Sequence, residues 1–481
     1  MSDTLRTAEY MIDRDALRRV ATVIPLLGAN LFPVVGVLSF GWTPVAVLVL
    51  YWVEMGIVTC WSVPKVLFAQ RRSPEVGDRH LPLSELREKR GGKSLWRGGP
   101  PAYVRNVPFA AAQVNVLLLV WFLLGALLFT QLGLQNRMTS ALMRTVAVGG
   151  VGMAVGRGVE FHREYIREKN YAETSPRATQ QATARHTAVF VLLMGVAGVI
   201  ESARTASLVG VGVIVAAKLA HEVHNYRTEY ADERPGGIIG RLLDSDGNED
   251  PPERVSMPDG TPDERIRPDT RAVVADGIVP GVSGLASRTG YLAVLLTAFG
   301  VIVLEWVVVA AGVALLSPIV LGKLGSHYLR RGTVEYRRYG DEIVEYDRWL
   351  DEPQWRVAID DIEESSVPRR VVDRFLGTGT IALDWRDADE ERHVPSLGPF
   401  EEVTDVAEGL GLSATDAEQK DPNRTMFVAA AGIALTFLAV PVGVISSGEI
   451  GAGGVVLLTL LFGGPFLVVL GALLWVAAMN W

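Results

Sequence analysis

Glu54 sits where an ionisable residue needs a reason. It falls in Leu48-Val49-Leu50-Tyr51-Trp52-Val53-Glu54-Met55-Gly56, within a run that is otherwise apolar from Pro44 to Met55 and lightly polar as far as Phe68. A helix needs about 20 apolar residues to cross a hydrocarbon core of about 30 Å. A carboxylate there must face protein or water rather than lipid. Counted outward from a turn near Trp42, Asn30 lies 12 residues before and Glu54 lies 12 after. Paired helices would put the two at similar depth, where an Asn–Glu hydrogen bond would satisfy the carboxyl group. Arg144, a few residues into a later apolar run, is the alternative partner. Two kinds of chemistry fit: an ion or proton site inside a helix bundle, or a polar clamp between helices worth about 0.6–2 kcal/mol.

Histidine raises a second question. His221-Glu222-Val223-His224 has one residue too few between Glu and the second His for the zinc-protease template. His221 and His224 still share a helix face, and Glu160-Phe161-His162 repeats the composition two apolar runs earlier. A metal site from His162, His221 and His224 is one reading. Interfacial His, Arg and Lys at helix C-termini, favoured by the helix dipole and by snorkelling, is the other. Gly92-Lys93-Ser94 ends like a phosphate-binding loop, but the upstream glycine is replaced by Arg87 and no strand precedes it. The acidic run Asp244 to Asp250 has Glu249 where a calcium loop needs glycine. No cofactor is expected. Cys60 is the sole cysteine, which rules out an internal disulfide.

These residues are carried by apolar runs in five pairs: about 18–40 with 43–69, 107–130 with 138–160, 186–200 with 205–223, 289–304 with 307–326, and 425–445 with 453–478. The third and fourth pairs are nearly continuous. Thr187 to His221 as one helix would be too long for a bilayer at about 1.5 Å per residue, so a turn is expected at Glu201-Ser202-Ala203-Arg204 and another near Glu305-Trp306. Segments flanking the pair openings hold 43 of the 46 Lys and Arg, and only Arg137, Arg144 and Arg204 remain on the other side. Positive residues mark cytoplasmic loops. The expected fold is mainly α, a polytopic membrane protein of about ten spans in five hairpins with both termini inside the cell.

Composition agrees. The chain of 481 residues is 49% hydrophobic and 21% charged, with the two populations in separate blocks. Only seven of the basic residues are lysine and the net charge is −8, a balance suited to high salt and not to nucleic acid. The domain plan is a cytoplasmic segment (1–17), a membrane domain (18–226) with a loop at 70–106, an acidic disordered linker (227–288), a hairpin (289–328), a folded β-rich module (329–415) and a last hairpin (425–481). The module is read from alternation: Val334 and Tyr336, then Trp355, Val357 and Ile359, then Ile381, Leu383 and Trp385. Tyr339-Gly340-Asp341 and Arg386-Asp387-Ala388-Asp389 supply turns, and Val403, Val406 and Leu410 mark a closing helix.

Gly332-Thr333-Val334-Glu335-Tyr336-Arg337, Trp355-Arg356-Val357, Phe375-Leu376-Gly377-Thr378-Gly379-Thr380-Ile381 and Phe400-Glu401-Glu402-Val403 together resemble the bacterial pleckstrin-homology-like domains, over about 80 residues. That resemblance implies a barrel-like sheet capped by one helix, with no catalytic set. Ala29-Asn30-Leu31-Phe32-Pro33 and Gly41-Trp42, leading into Tyr51-Trp52-Val53-Glu54, resemble an uncharacterised membrane-protein family of halophilic archaea. Three functions follow as expectations. The first is a non-enzymatic scaffold in the cell membrane whose module binds a protein partner or a second copy. The second is a small-solute or ion transporter using Glu54 and Asn30. The third is a metalloenzyme at the three histidines.

Overall fold

The computed structural model describes residues 44–73, 81–131, 139–202, 249–302, 306–368, 376–386, 392–413 and 424–447, with Asp373, Thr415, Asp416 and Gly454. The chain forms two compact units. One comprises Met1–Pro82 and Ser94–Pro251, the other Leu83–Lys93 and Pro252–Trp481.

In the first unit, apolar sequence becomes helix where the runs end it. α1 is Pro44–Phe68, α2 Val107–Gln131, α3 Ser140–Glu160 and α4 Pro176–Ser202. α3 continues into one π-helical stretch, Phe161–Arg167. α4 starts ten residues before its apolar run because Ser175 caps it, accepting from Ala178 N at 3.3 Å, with Pro176 just inside the start. α1 is central. Val66 packs on Phe109 and Ala110 while Trp52 meets Trp121, so α2 runs antiparallel to it. Val49 packs on Leu142 and Val146, and Lys65 pairs with Glu160, so α3 runs parallel to it.

The α1–α2 contact is a reciprocal clasp. Trp52 and Trp121 stack with centroids 4.2 Å apart and planes within 7°. Each indole N–H donates to the other's backbone carbonyl, at 2.8 and 2.9 Å. Each ring lies over the glycine four residues beyond the other tryptophan. A Cβ on Gly56 would come within 2.9 Å of the Trp121 ring, and one on Gly125 within 2.7 Å of the Trp52 ring. Gly125→Leu is therefore expected to cost about 1–3 kcal/mol by overpacking, read as a lower unfolding midpoint of the detergent-solubilised protein. Gly152→Leu on α3, where a Cβ meets open space, should leave that midpoint in place.

Where α1 and α3 end and α2 and α4 begin, the connecting segments close on one another. Asn106 Nδ2 donates to the carbonyls of Val66 and Ala69 at 3.0 and 2.7 Å, satisfying the end of α1. Gln70 N donates to Tyr171 O at 2.8 Å, and Arg105 Nη2 to Gln70 O at 2.6 Å. Arg105, Asn106 and Gln70 thus gather at one end of the described helices of this unit.

In the second unit, α5 (Thr270–Asp276) and α6 (Ile278–Ser283) precede a hairpin of α7 (Arg288–Ile302) and α8 (Trp306–Arg331). α7 ends at Ile302 and α8 begins at Trp306; the residues between them, including Glu305 of the expected turn, lie outside the described residues. Two antiparallel sheets follow. Strands β1 (Glu264–Ile266), β2 (Val334–Tyr339), β3 (Glu342–Asp347) and β4 (Glu352–Ala358) form the first in that order. The second is built on β5 (Ile362–Val367), β6 (Gly379–Arg386) and β8 (Ser396–Phe400), with β7 (Arg392–His393) pairing β6 and β9 (Thr415–Asp416) added in parallel to β5. Val334, Tyr336, Ile343, Val357, Ile381, Leu383, Trp385, Leu397 and Phe400 share one core, with Ala407 from α9 (Val403–Gly409) and Leu410 just after it packed into it. Gly340, with φ of +57°, makes the β2–β3 turn. Asp387–Asp389 lie outside the described residues. α10 is Arg424–Ser447.

Two boundaries differ from the sequence reading. The expected disordered linker, 227–288, is folded in its second half: Ile266 packs on the sheet core, Ala272 and Val273 are buried, and Asp269 caps α5 through Ala272 N at 2.6 Å. The acidic run from Asp244 dominates the composition and conceals this. Likewise Leu83–Lys93, expected as part of a membrane-domain loop, belongs to the second unit. Among the described residues three helices, Ala46–Phe68, Val104–Ala126 and Val308–Arg331, are long and apolar enough to cross a membrane. The apolar runs at 18–40, 205–223 and 453–478 lie almost wholly outside the described residues, as does Pro465.

Candidate functional site

Glu54 lies on the face of α1 that meets α3 and is 5% exposed. Its cation is Arg157, whose Nη2 stands 3.7 Å from Glu54 Oε1. Arg157 Nη1 also reaches Glu160 Oε2 at 2.9 Å, and Lys65 Nζ pairs with Glu160 Oε1 at 3.2 Å. The result is an electroneutral row, Glu54–Arg157–Glu160–Lys65, between two parallel helices. Helical side chains lean toward the N-terminus, so Arg157 at the last turn of α3 reaches back toward Glu54. Tyr165 from the π-helical stretch donates to Lys65 O at 2.5 Å, and its ring lies under the ammonium at 5.9 Å. Burial pushes the Tyr165 phenol well above its usual range, so it stays a neutral donor.

This row can hold fixed charge in an apolar setting. Glu160 binds two cations and Arg157 two carboxylates, and a guanidinium does not lose its proton in proteins. Arg144 is exposed, with Nε donating to Ser140 O of its own helix at 3.2 Å, and it takes no part in the row. Asn30 lies outside the described residues, as do His221 and His224. His162 is exposed beside Phe161. Among the described residues no group of three or more His, Cys, Asp or Glu converges as a metal site. In the sequence, Arg157 falls among the interfacial Arg and Lys expected at helix C-termini. The missing signal was the direction of packing: in parallel helices, Lys65 and Arg157 approach from the same end.

A second ionic centre lies in the other unit. Lys89 Nζ pairs with Asp347 Oδ2 at 2.5 Å, and both side chains are 0% exposed. Lys89 also donates to Leu329 O and to Thr333 Oγ1, and Thr333 Oγ1 donates to Asp347 Oδ2 at 2.7 Å. Asp347 Oδ1 accepts from Trp349 N and Leu350 N, both at 2.8 Å. Burial lowers the Lys89 ammonium below its usual range, while Asp347 pulls it back part of the way. Around it, Gln354 brackets Arg90 by accepting its N–H at 2.8 Å and donating to its carbonyl at 3.1 Å. Ser326 and Lys323 hold Glu85. Burial raises the Glu85 carboxyl, but the Ser326 and Lys323 contacts outweigh it and hold it below its usual range. Nothing in the composition of 83–93 distinguished a segment built into a fold from a solvated loop.

No curated protein and no solved structure matches the chain. Residues 13–236 match a family described as a family of unknown function (DUF6498), a stretch that contains all four members of the Glu54 row and ends before the sheet module.

Proposed function

We propose that this protein is a non-enzymatic integral membrane scaffold that holds the two-sheet module at the inner face of the cell membrane. The reading takes the ten-span plan, with both termini inside, as its frame. It takes the module as pleckstrin-homology-like and the first unit as kin to the membrane family of halophilic archaea. The observation that carries it is Leu83–Lys93. This segment comes from between two membrane-length helices, yet it is folded into the unit that contains the module, with Lys89 buried against Asp347. The module would therefore have a tie to membrane helices beyond those at its own two ends, α8 and α10, which suits a part whose placement matters. Its occupant would be a protein partner or a second copy of the chain, met through exposed positions such as Trp349 and Val394.

A photo-crosslinking residue placed at Trp349 or Val394 in the full-length protein, in its native cells, should give a discrete adduct. Its mass would show a second copy or one partner. Failure of both positions to give any reproducible adduct would remove the scaffold reading. The transporter reading keeps one observation in its favour, the buried carboxylate Glu54 within an apolar helix.

A further inference from the structure

The register of the α7–α8 hairpin does not stop where α7 starts. Gly300 lies against Val309 and Gly312 against Thr297. Further along, Gly284 lies against Ile319, Gly281 against Leu324 and Gly277 against His327, with a Cβ at each of these three meeting its neighbour at 3.1–3.2 Å. α6 and the turn after it thus run antiparallel to the end of α8, in line with α7. A break at Ser287 separates them (φ −64°, ψ 157°), where Ser287 Oγ accepts from Gly290 N at 3.1 Å.

The two faces of this stretch are inverted relative to a water-soluble helix. Gly277, Gly281 and Gly284 are buried against α8. Val274, Ile278 and Val282, spaced four apart, point outward and are 50, 54 and 55% exposed, with Val279 beside them at 40%. From Gly277 to Ser287 there is no charged residue. In water a helix buries its branched apolar side chains and exposes its polar ones. Here glycine faces protein and valine and isoleucine face out, which is the arrangement for a lipid solvent. The level is also defined. The stretch packs on Ile319 to His327, at the end of a membrane-length helix that holds Lys323 and closes with Arg330 and Arg331.

We propose that Val274, Ile278, Val279 and Val282 are buried at the boundary of lipid headgroups and acyl chains, making residues 270–286 an interfacial anchor for the sheet module. The inference rests on the membrane reading above. The anchor is fixed at both sides. On α8, His327 Nε2 stands 3.1 Å and Arg331 Nη1 3.7 Å from Asp276 Oδ2. Upstream, Asp269 N donates to Pro399 O at 2.8 Å, Arg267 pairs with Glu335 at 3.2 Å, and Ile266 lies in β1 opposite Tyr336. Bilayer contact at Ile278 is thereby passed to the edge of the first sheet within some dozen residues of chain.

The test uses the full-length protein with Cys60→Ser, reconstituted in phosphatidylcholine–phosphatidylglycerol vesicles. Single cysteines at Ile278 or Val282 carry an environment-sensitive fluorophore, and the vesicles carry nitroxide lipid labelled near the headgroup or deep in the chain. Emission from both positions should be lost more to the shallow nitroxide than to the deep one. A cysteine at Leu119, exposed on α2, should lose more to the deep nitroxide, and one at Glu363 on β5 should lose to neither. If Leu119 is quenched while Ile278 and Val282 behave like Glu363, the anchor is wrong and the membrane reading stands. If Leu119 is not quenched either, both fall. Labels at 278 and 282 shielded from aqueous iodide yet blind to both nitroxides would assign the face to protein and overturn the proposal.

Discussion

Lys89→Met is expected to destabilise the second unit by about 3 kcal/mol and Asp347→Ala by about 5 kcal/mol, the range for removing one member of a buried ion pair. The order follows from what each change leaves behind. Without Lys89, the Asp347 carboxylate keeps Thr333 Oγ1 and the N–H groups of Trp349 and Leu350. Without Asp347, the ammonium keeps only Leu329 O and Thr333 Oγ1, and the turn after β3 loses its cap as well. Two readouts follow: the unfolding midpoint of the full-length protein in detergent, and limited trypsinolysis at Arg87 and Arg90. Wild-type protein should resist cleavage there because Gln354 and Lys89 hold the segment down, and Lys89→Met should be cut. The double variant Lys89→Met/Asp347→Leu should recover much of the midpoint, since apolar replacement of a whole buried pair is often neutral or better. An unchanged midpoint together with an unchanged cleavage pattern for Lys89→Met would show that the segment is not structurally held.

How much of this could be read in the sequence varies with the range of the interaction. Apolar runs at 43–69 and 107–130 gave the end of α1 at Phe68 and the start of α2 at Val107 nearly to the residue, because a helix in an apolar setting ends where polar sequence begins. Period-two alternation gave β2, β4 and β6 for the same local reason. The carboxylate at Glu54 was recognised as needing a partner, but Arg157 was not found, because its choice depends on which helices pack and in which direction. Its neighbour in the row, Glu160, was noted only for His162. The tryptophan clasp is a different case. Trp52 with Gly56 and Trp121 with Gly125 repeat one spacing on successive helices, and comparison of the two runs would have exposed it.

The second unit shows what averaging over composition conceals. A window from 227 to 288 is acidic and rich in Pro and Gly, the signature of a chain that cannot bury enough apolar surface. Half of that window nevertheless contributes a strand, two short helices and a glycine stripe at 277, 281 and 284. The stripe looks unstructured because glycine scores poorly for helix. Its close approach to α8 supplies the stability that local propensity lacks. Lys89 was concealed in the same way, since a single lysine among charged neighbours reads as solvated until Asp347 is placed beside it.

Arg157→Leu is expected to destabilise the first unit by about 3–5 kcal/mol, because it removes the guanidinium that stands 3.7 Å from the buried Glu54 carboxylate. Glu54→Leu should cost less, since Arg157 retains Glu160 at 2.9 Å. In the double variant Glu54→Leu/Arg157→Leu, Lys65 and Glu160 still form a neutral pair at 3.2 Å. That variant should unfold at a higher temperature than Arg157→Leu alone, with a coupling of about 0.5–3 kcal/mol. These outcomes separate the structural role of Glu54 from a transport role. A clamp moves no solute, so Glu54→Gln should leave solute and proton flux in vesicles at the wild-type level, and the double variant should be as competent as its stability allows. A transport site needs the carboxylate itself, so Glu54→Gln and the double variant would both abolish a measurable flux whatever their midpoints. Additive costs for Glu54→Leu and Arg157→Leu would show that the 3.7 Å approach carries no energy, and Glu54 would then need another reason to be buried.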